Sequence, residues 1–170
     1  MTENLNTKIE IIDVVENENC GKFIIAPLER GFGTTLGNSL RRVLLSSLPG
    51  AAITKVKIDN VLHELSTISG VVEDVAEVIL NIKGICIRKY GDEPIELEIE
   101  KKGPGALTAA DFAVDSSVEI VNPDHYIATL NEDADINIQV RVENGSGYRI
   151  AEFNKSEEDP IGTIAVDSSF

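Results

Sequence analysis

The sequence of 170 residues contains few cysteines, few basic residues and no long hydrophobic run. Its two cysteines, Cys20 and Cys86, lie far apart, and no second pair or histidine–cysteine spacing indicates zinc. We expect no structural disulfide, because nothing in the sequence indicates export. No apolar run reaches the roughly 18–20 residues that cross a bilayer, and the polar N-terminus lacks the features of a signal peptide. These absences predict a cytoplasmic protein without a membrane segment.

Basic residues are outnumbered by acidic ones, 15 against 29, which gives a net charge of −14. An acidic surface repels phosphate, so we expect no direct DNA binding by most of this surface. The proportions of hydrophobic and charged residues, 42% and 26%, are ordinary for a soluble globular protein. The length allows one sizeable core or two small lobes.

The segment from Glu29 to Ala52 contains a glycine-rich turn followed by an amphipathic helical pattern. Its apolar positions recur at intervals of three or four residues: Leu36, Leu40, Val43, Leu44 and Leu48. Thr34 or Thr35 is a candidate cap, and Pro49-Gly50 is the predicted stop. Asn38, Arg42 and Leu45 fall on the opposite side of the helical wheel. This distribution predicts a helix with contacts on both faces.

The remaining sequence predicts an α+β fold, with few helices and many strands joined by short turns. A second helical pattern begins at Val71 and is expected to stop at Gly84. A polar turn is predicted at residues 16–22. Predicted strands occupy residues 8–15, 23–28, 53–59, 85–90, 95–99, 118–121, 127–130 and 136–142. Pro49-Gly50-Ala51-Ala52 is the best candidate for an internal boundary.

The glycines of the first segment also permit a different interpretation, a nucleotide-binding protein. Gly31, Gly33 and Gly37 lie between a predicted strand and a helix, where glycines can let backbone approach a pyrophosphate. However, their spacing is one residue off the dinucleotide fingerprint and no alternating strand–helix series follows. In the structural interpretation, these glycines bind no ligand and instead allow positive φ and close helix packing. A nucleotide-binding protein using the Gly31–Gly37 turn is the alternative function.

No catalytic or metal-binding constellation is predicted. His63 and Glu64 are adjacent, and adjacent residues of a strand point to opposite faces, so they are poorly placed to share a metal or a proton. The acidic turn with Glu132, Asp133 and Asp135 has no coherent magnesium motif. We therefore expect no cofactor, no metal and no catalytic residue.

Ordered motifs along nearly the whole chain resemble the N-terminal domain of the alpha subunit of bacterial RNA polymerase. The matching segments include Leu28-Glu29-Arg30-Gly31-Phe32-Gly33, Thr35-Leu36-Gly37-Asn38, Leu40-Arg41-Arg42, Val61-Leu62-His63-Glu64, Asn81-Ile82-Lys83-Gly84, Leu107-Thr108-Ala109-Ala110-Asp111, Asn122-Pro123-Asp124-His125 and Asp159-Pro160-Ile161-Gly162. Chance similarity does not produce so many matches in the same order.

The resemblance implies a two-lobed architecture and an assembly function. Residues 1–49 would form the first part of a dimerisation lobe of sheet plus long helix, and residues 50–170 an inserted strand-rich lobe carrying a short helix. The family domain continues beyond Phe170, so the resemblance implies a truncated chain whose return to the dimerisation lobe starts near its end. In the family, two alpha subunits dimerise and act as the platform for beta and beta-prime, while other subunits perform nucleotidyl transfer.

The resemblance also implies particular contact residues. The dimer interface would consist of Leu36, Ser39, Leu40, Val43, Leu44 and Ser47. The beta-subunit contact would involve Arg42 and Leu45, with Asn38 beside them. The beta-prime contact would involve Lys83 and Glu77 on the second helix.

Overall fold

The structure is a computed structural model and describes residues 6–15 and 20–170. The chain forms two compact units, divided between Leu45 and Ser46. Each unit combines antiparallel strands with helical structure, which confirms the predicted α+β class.

The first unit contains an antiparallel pair of strands and a helix of 15 residues. Strand β1 (Lys8–Val15) pairs with β2 (Cys20–Ala26), with an irregularity between Ile11 and Asp13. Of the turn predicted at 16–22, residues 16–19 lie outside the described residues and the others belong to β2. Helix α1 spans Phe32–Ser46.

Helix α1 begins and ends earlier than its sequence pattern predicted. The backbone N–H of Phe32 donates to the carbonyl of Glu29 at 3.1 Å, so the helical turn is established before Thr34 and Thr35, which are not caps. The helix ends at Ser46, and Pro49 opens the next strand instead of directly stopping the helix.

The second unit is built around a six-stranded antiparallel sheet. In chain order its elements are β3 (Pro49–Ile58), α2 (Val75–Lys83), β4 (Ile87–Lys89), β5 (Ile95–Lys102), β6 (Gly105–Thr108), a 3₁₀ turn (Ala109–Asp111), β7 (Val118–Ile120), β8 (Tyr126–Leu130), β9 (Asp135–Ser146), β10 (Tyr148–Arg149), α3 (Ala151–Asn154), β11 (Thr163–Ala165) and β12 (Ser168–Ser169). The sheet order is β5-β9-β3-β4-β7, and β11 also pairs with β3. Two small sheets, β6-β8 and β10-β12, complete the unit.

The core of the second unit lies between this sheet and α2. Alternate residues of β9 (Ile136, Ile138, Val140 and Val142) are buried, as their alternation with polar residues predicted. Helix α2 adds its own apolar stripe of Val75, Val78, Ile79 and Ile82 to the same core and packs against β8 and β3. The sheet and the helix therefore share one continuous hydrophobic core.

Helix α2 begins at Val75, four residues after the predicted start. The carboxylate of Asp74 accepts a hydrogen bond from the backbone N–H of Glu77 at 2.8 Å and caps the helix. Val71 instead forms an antiparallel β-bridge with Leu130. Its apolar side chain therefore belongs to a β-bridge and not to the helical stripe. The predicted stop at Gly84 is confirmed, since Gly84 is the C-cap and donates its N–H to the carbonyl of Asn81.

The last part of the chain returns to β3. The N–H of Val166 donates to the carbonyl of Thr54 at 3.0 Å, and the hydroxyl of the buried Ser168 donates to the carbonyl of Ile53 at 2.8 Å. These bonds bring the end of the second unit back to the strand that opens it.

Candidate subunit interfaces

Helix α1 exposes its apolar stripe. None of its residues is buried, and Leu40, Val43 and Leu44 are 45%, 53% and 60% exposed. The Ser39 hydroxyl donates to the carbonyl of Thr35 at 2.9 Å. Leu36 is half-buried. The predicted stripe thus remains available for contact with an apolar surface.

Ser47 was predicted as part of this stripe, but α1 ends one residue before it. The helical period therefore no longer places its side chain on the stripe. Its hydroxyl lies 3.2 Å from that of Ser46, and the residue is exposed.

The second predicted face of α1 is exposed as well. Asn38 and Arg42 are exposed, and the apolar side chain of Leu45 is 65% exposed. Of these residues, arginine is the type that is enriched among the residues dominating the binding energy of protein interfaces.

The glycines of this segment do not form a phosphate-binding loop. Gly33 and Gly37 lie inside α1, and only Gly31 of the three has a positive φ, +91°. The preceding strand β2 pairs antiparallel with β1, unlike the parallel strand of a dinucleotide fold. The loop on which the nucleotide-binding alternative depended is therefore not formed.

A groove in the second unit contains Lys83. We call it the α2–β11 groove: α2 contributes Ala76, Ile79, Leu80 and Lys83 to it, and β11 and the residues after it contribute Ile164 to Asp167. Ala151 and Glu64 complete the lining around a cavity of about 320 Å³. Most of these side chains are apolar.

The charges at the groove are arranged around Asp167. The ammonium nitrogen of Lys83 lies 3.6 Å from an Asp167 carboxylate oxygen. Asp167 also accepts a hydrogen bond from the backbone N–H of Ala151 at 2.9 Å. This bond and one from the Tyr148 hydroxyl hold the pKa of Asp167 below its usual range. Asp167 therefore remains ionised and compensates the charge of Lys83.

Glu77 does not line the α2–β11 groove. Six residues of helix separate it from Lys83, which corresponds to a rotation of about 240°. Glu77 is exposed and provides its backbone N–H to the helix cap. The two residues predicted together as a beta-prime contact thus lie on different sides of α2.

Leu80 and Glu64 were missed as groove residues. Leu80 is 65% exposed and lies outside the buried stripe of α2, which could have been noticed from its position on the helical wheel. Glu64 was considered with His63 as part of a strand, and that assignment is wrong. Both residues lie in the turn between β3 and α2, where the Ser66 hydroxyl donates to the His63 carbonyl at 2.8 Å.

The described residues contain no group of three or more His, Cys, Asp or Glu side chains that could hold a metal ion. Cys20 and Cys86 are both free and exposed. In residues 6–15 and 20–170, no helix has the length and apolar character needed to span a membrane.

The exposed stripe of α1 and the α2–β11 groove are surfaces typical of a protein that docks onto other proteins. Comparison with protein families defines the class further. The family described as the RNA polymerase Rpb3/RpoA insert domain matches residues 56–170. The chain belongs to this RNA polymerase family, and the resemblance to the N-terminal part of bacterial alpha subunits is confirmed.

Curated relatives extend the similarity to the entire chain. The DNA-directed RNA polymerase subunit alpha of Oceanobacillus iheyensis is 55% identical over 170 residues, which is 100% of this chain and 54% of the relative. The same subunit of Alkaliphilus metalliredigens is 53% identical over 170 residues, and that of Bacillus velezensis 54%, each with the same coverage. The chain spans about half the length of these relatives.

Proposed function

We propose that this chain is the assembly part of an alpha subunit of bacterial DNA-directed RNA polymerase. It dimerises and provides the platform on which beta and beta-prime join the transcribing enzyme, while the nucleotidyl-transfer chemistry resides in other subunits. The observation that carries the proposal is the exposed apolar stripe of α1, within a chain similar over its full length to alpha subunits.

The dimer interface is formed by the stripe of Leu36, Ser39, Leu40, Val43 and Leu44, and Ser47, which follows the last residue of α1, borders it. A two-fold interface uses the same patch on both protomers, and apolar side chains supply self-complementary packing. Exposed leucines and valines that a single chain does not cover support this role.

The opposite face of α1, with Arg42, Leu45 and Asn38, contacts beta. Arginine is enriched among the interface residues that dominate binding energy. Lys83 in the α2–β11 groove contacts beta-prime, and Glu77 extends this contact on another side of α2. Two separate surfaces allow the dimer to recruit two different subunits.

The second unit is an insertion in the dimerisation lobe. Residues 1–49 contribute the first part of that lobe, and residues 50–170 form the insert and the start of the return. The position of the Phe170 backbone against Gly50 supports this path, because residue 170 lies beside the strand that opens the insert.

The assembled complex works in the cytoplasm, and this chain makes no direct contact with DNA. A net charge of −14 supports both points, since an acidic surface is soluble and repels the phosphate backbone.

The proposal is tested by binding of the full 170-residue chain to purified beta, measured by titration calorimetry. We expect Arg42→Ala to weaken binding about tenfold or more, the loss of about 1.4 kcal/mol or more that truncating a central interface arginine causes. Arg41→Ala is the matched control, because Arg41 is an exposed arginine of the same helix that points about 100° away. Circular dichroism should show the same helix content in both variants.

Two results would contradict the proposal. Absence of binding between the unmodified chain and beta would exclude the platform function. Equal affinities of the Arg41 and Arg42 variants would exclude this face of α1 as the beta contact.

A further inference from the structure

The α2–β11 groove is longer than the cavity around Lys83. A second cavity of about 300 Å³ adjoins the first and shares Glu64, Ala151, Ile164 and Ala165 with it. Leu80 lies in the first cavity and Leu62 in the second, and they are 65% and 70% exposed. The two cavities therefore form one extended groove with an exposed leucine in each half.

The strand along this groove has a partly unpaired outer edge: the N–H of Thr163 donates to the carbonyl of Pro160 at 3.1 Å, whereas the backbone of Ala165 has no hydrogen bond among the described residues. Among the described residues, β11 pairs only with β3, through Thr163↔Lys57, Ile164↔Val56 and Ala165↔Lys55. The N–H of Val166 donates to Thr54 O at 3.0 Å, which continues this register. In an antiparallel ladder, hydrogen-bonded pairs alternate with non-bonded pairs. Ala165, which lines both cavities, therefore directs its N–H and C=O away from β3.

The charges of the groove indicate what would bind there. The ammonium group of Lys83 is already compensated by Asp167 at 3.6 Å. Glu64 lies in the wall shared by both cavities and has no ion-pair partner within 4.0 Å among the described residues. Over both cavities three carboxylates (Glu64, Glu152, Asp167) face two ammonium groups (Lys83, Lys155). A cationic side chain near Glu64 complements this arrangement.

We propose that the α2–β11 groove binds an extended segment of a partner protein by strand addition. The segment pairs with the free edge of β11 at Ala165, places apolar side chains against Leu80 and Leu62, and carries a lysine or arginine opposite Glu64. Backbone pairing supplies affinity in this mode, while alternate side chains supply specificity. The inference rests on the proposed function in taking the partner to be the subunit that contacts Lys83, beta-prime.

The first test measures the affinity of the full chain for purified beta-prime by fluorescence anisotropy. We expect Leu80→Glu and Glu64→Lys each to weaken binding tenfold or more, because one buries a carboxylate against apolar side chains and the other opposes the cation. The matched controls are Leu65→Glu and Glu132→Lys. Leu65 is 87% exposed, and neither control residue lines the groove. We expect less than a twofold change from either control.

The second test measures the strand pairing directly, through the exchange rate of one backbone amide. Amide hydrogen exchange at Ala165 should slow at least tenfold when beta-prime binds, because its N–H becomes hydrogen-bonded to the added strand. Unchanged exchange at Ala165 in the bound state would overturn strand addition. Equal losses of affinity in the groove variants and their controls would overturn the groove as the binding site.

Failure of this inference is distinguishable from failure of the proposed function. If Lys83→Ala weakens beta-prime binding but Leu80→Glu and Glu64→Lys do not, the subunit function stands and the groove proposal is wrong. If the unmodified chain binds neither beta nor beta-prime, the proposed function is wrong. The inference that beta-prime binds the groove is then wrong as well.

Discussion

The backbone of Phe170 lies directly against Gly50, so closely that position 50 has no room for a side chain. A Cβ at Gly50 would lie 2.6 Å from the carbonyl carbon of Phe170. The Phe170 ring rests on Gly145, and the guanidinium carbon of Arg149 lies 4.7 Å from the ring centroid. Gly50 pairs with Gly145 in the sheet, so two facing glycines make the space that Phe170 occupies.

Gly50→Ala should therefore destabilise the second unit. The added methyl group meets backbone atoms that cannot rotate away, and overpacking of this kind costs about 1–3 kcal/mol in the free energy of unfolding. Urea unfolding followed by circular dichroism measures the change. Gly37→Ala serves as control, because Gly37 lies in α1 with no atom within 4 Å of the added methyl group. A Gly50→Ala variant as stable as the unmodified chain would show that Phe170 is easily displaced.

Much of the fold could be predicted from local patterns, and the errors have physical causes. The alternation from Ile136 to Val142 identified β9, but the strand continues through Ser146 because Glu143 to Ser146 pair with Pro49 to Ala52. Strand β6 was missed, since its Gly105–Thr108 segment follows Gly103-Pro104 and resembles a turn. The composition of a segment does not reveal which distant strand it pairs with.

The candidate site was only partly predictable for a related reason. The resemblance pointed to Lys83, and the helical wheel placed Leu40 and Arg42 on different faces of α1. The α2–β11 groove combines the turn at Glu64, the helix at Leu80 and the strand at Ala165. These residues are brought together by the return of the chain to β3, which no local period encodes.

Gly84→Ala should destabilise the end of α2 chiefly through the ring of His125, the nearest neighbour of the added methyl group. The φ of Gly84 is −80°, a conformation that alanine adopts readily, so backbone strain is not the cause. The added Cβ would lie 2.7 Å from the His125 ring, whose Nε2 lies 2.8 Å from the Asn81 carbonyl oxygen. We expect a loss of about 1–3 kcal/mol in the free energy of unfolding.

The role of His125 in this effect can be separated by a double-mutant cycle. In a His125→Ala background the ring is absent, so Gly84→Ala should cost at least about 0.5 kcal/mol less than in the unmodified chain. Additive effects of the two substitutions would mean that the ring is not what excludes a side chain at Gly84.

The stability of the second unit should fall in acid partly through Asp159. Burial by itself would raise the pKa of this carboxyl, but hydrogen bonds from Lys55 and from the Ser156 N–H at 2.8 Å outweigh it and hold the pKa below its usual range. A lowered folded-state pKa gives stability that is complete above the unfolded value of about 3.9 and is lost as pH falls through the folded value.

Asp159→Asn should thus be less stable than the unmodified chain at pH 7 by about 1.5–3 kcal/mol, because the buried Lys55 loses a charged hydrogen-bond partner. The difference should shrink as pH falls below about 4. Urea unfolding at several pH values measures both. Asp133→Asn, in the exposed turn between β8 and β9, should change stability little at any pH. A difference between Asp159→Asn and the unmodified chain that stays constant from pH 7 to pH 2.5 would contradict the assignment.

Leu40→Asp should abolish self-association of the chain while leaving its fold intact. Leu40 lies in the middle of the α1 stripe and is 45% exposed, so an aspartate remains hydrated in the monomer. In a two-fold interface the same substitution brings two unpaired carboxylates into an apolar contact. This should weaken the free energy of association by roughly several kcal/mol. We expect the unmodified chain to self-associate through the exposed stripe, and we expect the variant to sediment as a monomer. Leu65→Asp changes an exposed leucine outside α1 and should sediment like the unmodified chain. A Leu40→Asp variant that still associates, with unchanged circular dichroism, would exclude the α1 stripe as the dimer interface.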